Sequence, residues 1–173
     1  MKKLLFTCIA LALLLCPCTL AGSQDETDPI RNIERAIKEK EPDWSCKKSP
    51  SGERGPDSPH GTFYNFECKH DQQTVFWTIF FGDSKEDAVK LLERSQMMLQ
   101  INASKPQDGI GEQAYMYAGH GSAWITFRKE NLFGQVNVSI IDPRKVADPS
   151  PEMDAFTNQA LEIAKRFAQD LAQ

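Results

Sequence analysis

The segment "TVFWTIFF", residues 74–81, constrains the fold more than any other. In an extended strand, successive side chains point to opposite faces. Val75, Trp77, Ile79 and Phe81 therefore form one side, and Phe76 and Phe80 belong to the other. Both sides are apolar. Such a strand needs cover on both faces, from the core, from a loop or from a second copy of the chain in a homodimer. Only "HDQQ" separates it from residues 62–69, which are also rich in aromatic and β-branched types, so the two read as a β-hairpin.

Helical periodicity flanks this hairpin. Asp28 followed by Pro29 is a helix-start signal, because the aspartate can accept from unpaired amides and proline costs nothing at the first helical position. Ile30, Ile33 and Ile37 then share a face, and the helix is expected to stop before Pro42. Residues 44–47 read as a short strand, and "SPSGERGPDSPHG" reads as a loop on its proline, glycine and serine content. A second helix begins at Asp83 or Ser84, with Asp87 at capping-box spacing from Ser84. Ala88, Leu91, Leu92, Ser95, Met98 and Leu99 recur at helical intervals as its core-facing set. Residues 112–118, 123–128 and 132–141 read as three more strands, joined by turns at "GHGS" and "KEN". Ser150 caps and Pro151 opens a last helix, whose stripe is Met153, Phe156, Ala160, Ile163, Phe167 and Leu171. The order α-βββ-α-βββ-α hints at a duplicated α-βββ unit. Short connections favour antiparallel pairing, so the expected class is α+β, an antiparallel sheet with helices packed on one face.

The chain opens with a lysine pair, an apolar run over residues 4–15 and a small, polar stretch, the order of a secretory signal peptide. The run is shorter than the roughly 20 apolar residues of a permanent anchor. Cleavage is expected after Ala21, giving a signal peptide (1–21), a flexible polar N-terminus (22–27) and a single domain (28–173). Cys16 and Cys18 lack the small residue that a bacterial lipobox places before its cysteine, which speaks against a lipid anchor. No second long apolar segment follows, so no transmembrane segment is expected after cleavage, and the expected location is periplasmic or secreted. Loss of Lys2 and Lys3 takes the 20 basic residues to 18 against 24 acidic ones, a net charge of −6. Affinity for nucleic acid comes from clustered lysine and arginine, so nucleic acid is excluded as a partner. Three of the five cysteines leave with the signal. Cys46 and Cys68 remain, and an even pair in an oxidising compartment reads as a disulfide.

Gly109, Gly111 and Ala114 spell G-x-G-x-x-A, the pattern of a dinucleotide-binding loop. That loop needs a buried strand before the first glycine and a helix starting at the second. The flanking "INASKPQD" and "AYMYAGHGSAW" supply neither. Gly109 and Gly111 read instead as turn residues before a strand, Gly119 and Gly121 as turn residues after it, and no cofactor is expected. "DGIGEQAYMY" followed by "SAWITFRKENLFGQVNVSI" resembles a segment of several families of secreted or lipid-anchored bacterial domains. Among them are the extracellular sensor-like domains of actinobacterial membrane kinases, in which a G-[IL]-G-[DE]-x-A-Y turn leads into a meander. Glu130 stands where those families often carry glycine. The resemblance implies an extracytoplasmic α+β domain with a groove, used for sensing or binding rather than catalysis.

Strand alternation assigns Phe66, Cys68, Ile125, Phe127, Val136, Val138 and Ile140 to an apolar face beneath the helices. The opposite face mixes types. On it Trp124, Arg128, Asn65, Glu67, Asn137 and Phe63 are the candidate ligand-binding residues, because aromatics, a guanidinium, a carboxylate and amides together suit a small polar ligand or an envelope protein. The alternative is a solvated face whose charges pair across strands. His60, His70 and His120 stand beside turns without H-E-x-x-H spacing, so no metal site is expected. The alternative function is a small extracytoplasmic hydrolase using His120 with Ser122 or a nearby carboxylate, although no G-x-S-x-G elbow surrounds Ser122. The sequence thus reads as an exported, non-catalytic binding or interaction domain.

Overall fold

Strand alternation and helical stripes assemble into one layered sheet. A computed structural model describes residues 29–49, 58–100, 104–140 and 150–173, the side chains of 99 and 100 excepted. The strands are β1 (Ser45–Ser49), β2 (Gly61–His70), β3 (Gln73–Gly82), β4 (Lys105–Pro106), β5 (Gln113–Gly119), β6 (Ser122–Lys129) and β7 (Leu132–Ser139). They form one sheet in the order β1-β2-β3-β7-β6-β5-β4, with every neighbouring pair antiparallel. Helix α1 (Pro29–Lys40) precedes β1, α2 (Lys85–Gln100) follows β3 and α3 (Pro151–Leu171) closes the chain. The class is α+β and the element order is the expected one, with two-residue β4 added at an edge. The expected signal peptide, the N-terminal segment, the Asp28 cap and most of the proline-rich loop lie outside the described residues.

The doubly apolar strand is the third of the seven, with the helix-closed core on one side and α2 over one end of the other. Val75, Trp77 and Ile79 join Phe66, Cys68, Ile125, Phe127, Val136 and Val138 in a core closed by α1 and α3. On the reverse, Phe80 lies opposite Phe133 in the β3–β7 register, and both pack under Ala88, Leu91 and Leu92 of α2. Two helices therefore share a face as expected, while α2 takes the opposite one. The physical reason is that Phe63, Phe80 and Phe133 form an apolar patch at one end of that face, and removing it from water favours a helix there. The two meanders β1-β2-β3 and β5-β6-β7 repeat each other and meet along β3–β7. The repeat stops at the helices, since α1 and α2 lie on opposite faces.

Helix ends follow the sequence signals. The Ser150 hydroxyl accepts from the Met153 amide at 3.1 Å. Ser84 accepts from the Asp87 amide at 3.3 Å and donates to its carboxylate at 2.7 Å. The core face of α2 is shorter than its periodicity suggests: Ser95 is buried, but Met98 is 60% exposed.

One close approach fixes a glycine. Gly134 lies opposite Phe127 across β6–β7, and a Cβ there would come within 2.1 Å of the buried Phe127 ring. The hairpin turns place Asp71, His120 and Glu130 at φ 52°. Between β5 and β6, His120 and Gly121 both have positive φ, as a type I′ turn requires. The freedom expected of Gly119 is thus used by His120.

Cys46 and Cys68 face each other across β1–β2 with Cα atoms 3.9 Å apart and are joined by the expected disulfide. The bond fixes a five-residue edge strand whose residues are otherwise largely exposed.

Candidate functional site

Helix α2 covers only one end of its sheet face. Beyond it, the register aligns Glu67, Phe76, Asn137, Trp124 and Tyr117 in one row across β2, β3, β7, β6 and β5. At ordinary strand spacing the row spans roughly 19 Å. Phe76, on an interior strand, is 47% exposed, and the four other residues of the row are half-buried. The adjoining row carries Asn65, Thr78, Gln135, Thr126 and Tyr115. The two rows carry four aromatic rings, Phe76, Trp124, Tyr117 and Tyr115, beside a carboxylate and amides. Rings offer faces for stacking and amides offer paired donors and acceptors, so the surface can hold a flat, polar organic group or an extended peptide.

The six candidate residues divide between the two ends. Trp124, Asn137, Glu67 and Asn65 line the open end. Glu67 is paired with Lys69 at 2.7 Å, and Asn65 accepts from the Thr78 hydroxyl at 2.8 Å. Phe63 lies against Phe80 with ring centroids 4.5 Å apart, beside the α2 cluster. Arg128 is also drawn to that end. It is only 8% exposed and its guanidinium pairs with Glu112 at 2.7 Å. The Glu112 carboxylate accepts as well from the Glu130 amide and lies 3.5 Å from Lys85 at the start of α2. The Glu130 amide first, and then Arg128, hold this carboxyl below its ordinary pKa. Arg128 Nε and the Thr126 hydroxyl are buried without a hydrogen-bond partner among the described residues.

Phe76 and Tyr117 belong to the open row but are not among the six candidates that the sequence offers for binding. Phe76 read as half of a doubly buried strand. Its shared row with Trp124 and Asn137 becomes visible only once the β3–β7 register is known.

The G-x-G-x-x-A segment is a turn between β4 and β5, with Gly109 and Gly111 at φ 79° and 58°, and a strand follows it. His120 is exposed at its turn, and the Ser122 hydroxyl donates to the Gly119 carbonyl at 2.9 Å, closing the same turn. Among the described residues no three His, Cys, Asp or Glu side chains are grouped to hold a metal ion. No helix among them is long and apolar enough to cross a membrane.

A cavity of 420 Å³ opens on the other face of the sheet, between α1 and the edge strand β1. Trp44, Phe66 and Trp77 line it, together with Cys46 of the disulfide. A smaller hollow of 180 Å³ lies within the turn before β5. Neither includes His120 or Ser122.

Comparison with protein-family models, curated proteins and solved structures gave no significant match to this chain.

Proposed function

We propose that the protein is an exported, non-catalytic binding or interaction domain whose recognition surface is the open end of the α2 face. The observation that carries this reading is the half-exposed Phe76 on an interior strand of a seven-stranded sheet, in one row with Asn137, Trp124 and Tyr117. An aromatic ring left in water on an interior strand forgoes burial that a longer helix would have supplied. A surface kept this way suits a partner or ligand that arrives later. The signal-like leader and the disulfide support an extracytoplasmic setting. The resemblance of residues 108–140 to extracellular sensor-like domains supports binding over catalysis.

The test has two arms. Protein recovered from the cell envelope or medium should begin at Gly22 on N-terminal sequencing, and an intact Met1 in cytosolic protein would remove the export reading. Soluble peptides and oligosaccharides should be titrated against the wild type, Trp124→Ala and Phe76→Ser. Any ligand of this face should lose roughly tenfold or more in affinity with either substitution, since a buried aromatic anchor commonly contributes well over 1 kcal/mol. Binding that is indifferent to both substitutions would assign recognition elsewhere.

A further inference from the structure

The cavity between α1 and β1 lies on the opposite side of the sheet from the surface just described and is independent of it. Its volume of 420 Å³ falls in the range of small-molecule pockets, about 300–1,000 Å³. Its floor is aromatic: Phe66 and Trp77 stack with centroids 3.9 Å apart and planes within 10°. Trp44, held edge-on against Phe167 of α3, forms one wall, and Ile37 of α1 another. The mouth carries charge. Lys38 comes from α1, and Lys48 comes from β1, where its ammonium lies 4.8 Å over the Tyr64 ring. Glu34 of α1 also lines it, so among the described residues the lining has two positive groups against one negative.

An apolar, aromatic interior with a net positive mouth selects a definite chemistry. A neutral apolar molecule would gain burial but make no use of the excess positive charge. A cation would meet the two lysines. A molecule with a flat or short-chain apolar body and one anionic group satisfies both parts. The geometry points to this cavity as a binding site for a small anionic amphiphile, its apolar body against Trp44, Phe66 and Trp77 and its acid group between Lys38 and Lys48.

The experiment uses the oxidised protein and two probes of the same shape, anilinonaphthalene sulfonate and the uncharged N-phenylnaphthylamine. Two of the three tryptophans line the cavity, so a bound probe quenches indole emission, and this quenching should persist in Trp124→Phe. The sulfonate is expected to bind saturably with one site per chain. Lys38→Ala combined with Lys48→Ala should weaken the sulfonate on the order of tenfold and change the uncharged probe by less than about twofold. These exposed lysines are not part of the core, so the variant should unfold close to the wild-type midpoint, lowered only by the loss of the Lys48–Tyr64 contact. Absence of saturable binding by the folded protein would overturn the assignment, as would equal weakening of both probes or sulfonate binding indifferent to the lysines. Trp124→Ala and Phe76→Ser leave the cavity intact, so failure here is distinguishable from failure of the open sheet face.

Discussion

Position 134 shows how one missing side chain sets the packing of two strands. The Phe127 ring, fully buried, occupies the space where a Cβ on its cross-strand partner would stand. Gly134→Ala should therefore cost roughly 3 kcal/mol, the upper end for overpacking, because neither the ring nor the paired backbone has room to move. Denaturant unfolding of the single variant and of the double variant with Phe127→Leu would check this. The double variant should recover part of the loss, and strictly additive effects would contradict the steric account. The sequence announces the glycine but not its reason, since the ring that excludes a side chain is identified only by the register. Arg128 illustrates the same limit. Strand parity placed it on the correct face, but its withdrawal from the open end depends on Glu112 and on where α2 lies.

At the level of elements, the legible features were those with a local cause. Ser150 caps α3 through its own third neighbour, β2 and β3 alternate as written, and the terminal stripe is buried along α3 except for half-buried Phe156. The placement of α2 was not legible, because an amphipathic helix specifies that it has an apolar face and not which side of a sheet receives it. For the same reason the cavity, made by the separation of α1 from β1, left no trace in the sequence. β1 itself is an exposed edge strand held by Cys46–Cys68. Replacing both cysteines with serine should lower stability by about 3 kcal/mol on the chain-entropy account. Hydrogen exchange should show the loss of protection concentrated in β1 and the facing part of β2. Uniform loss across the sheet would contradict this picture of a locally fastened edge.

Across the whole molecule, charge ties the α2 face together from distant parts of the chain. Glu112 joins Arg128, Lys85 and the Glu130 amide, and Asp87 is bound by the Ser84 hydroxyl. Both carboxyls are held below their ordinary pKa, Glu112 chiefly by the Glu130 amide and Asp87 chiefly by Ser84. A carboxylate with a depressed folded pKa contributes stability that is complete above its unfolded value and is lost as pH falls through the folded one. The unfolding midpoint should thus stay level near neutrality and decline on acidification below the ordinary carboxylate range. Glu112→Gln should flatten that decline. A slope unchanged by this substitution would assign the acid sensitivity to other groups.

The β3–β7 pairing has a practical consequence. Every other strand pairing joins neighbours in the chain, so a cut between α2 and β4 yields two contiguous fragments whose strands pair only along that ladder. Neither fragment can bury its own apolar surfaces, because α1 packs against α3 and α2 lies across β6 and β7. Produced separately, the fragments should recombine on mixing, and this chain offers a ready place at which to divide and reconstitute a reporter.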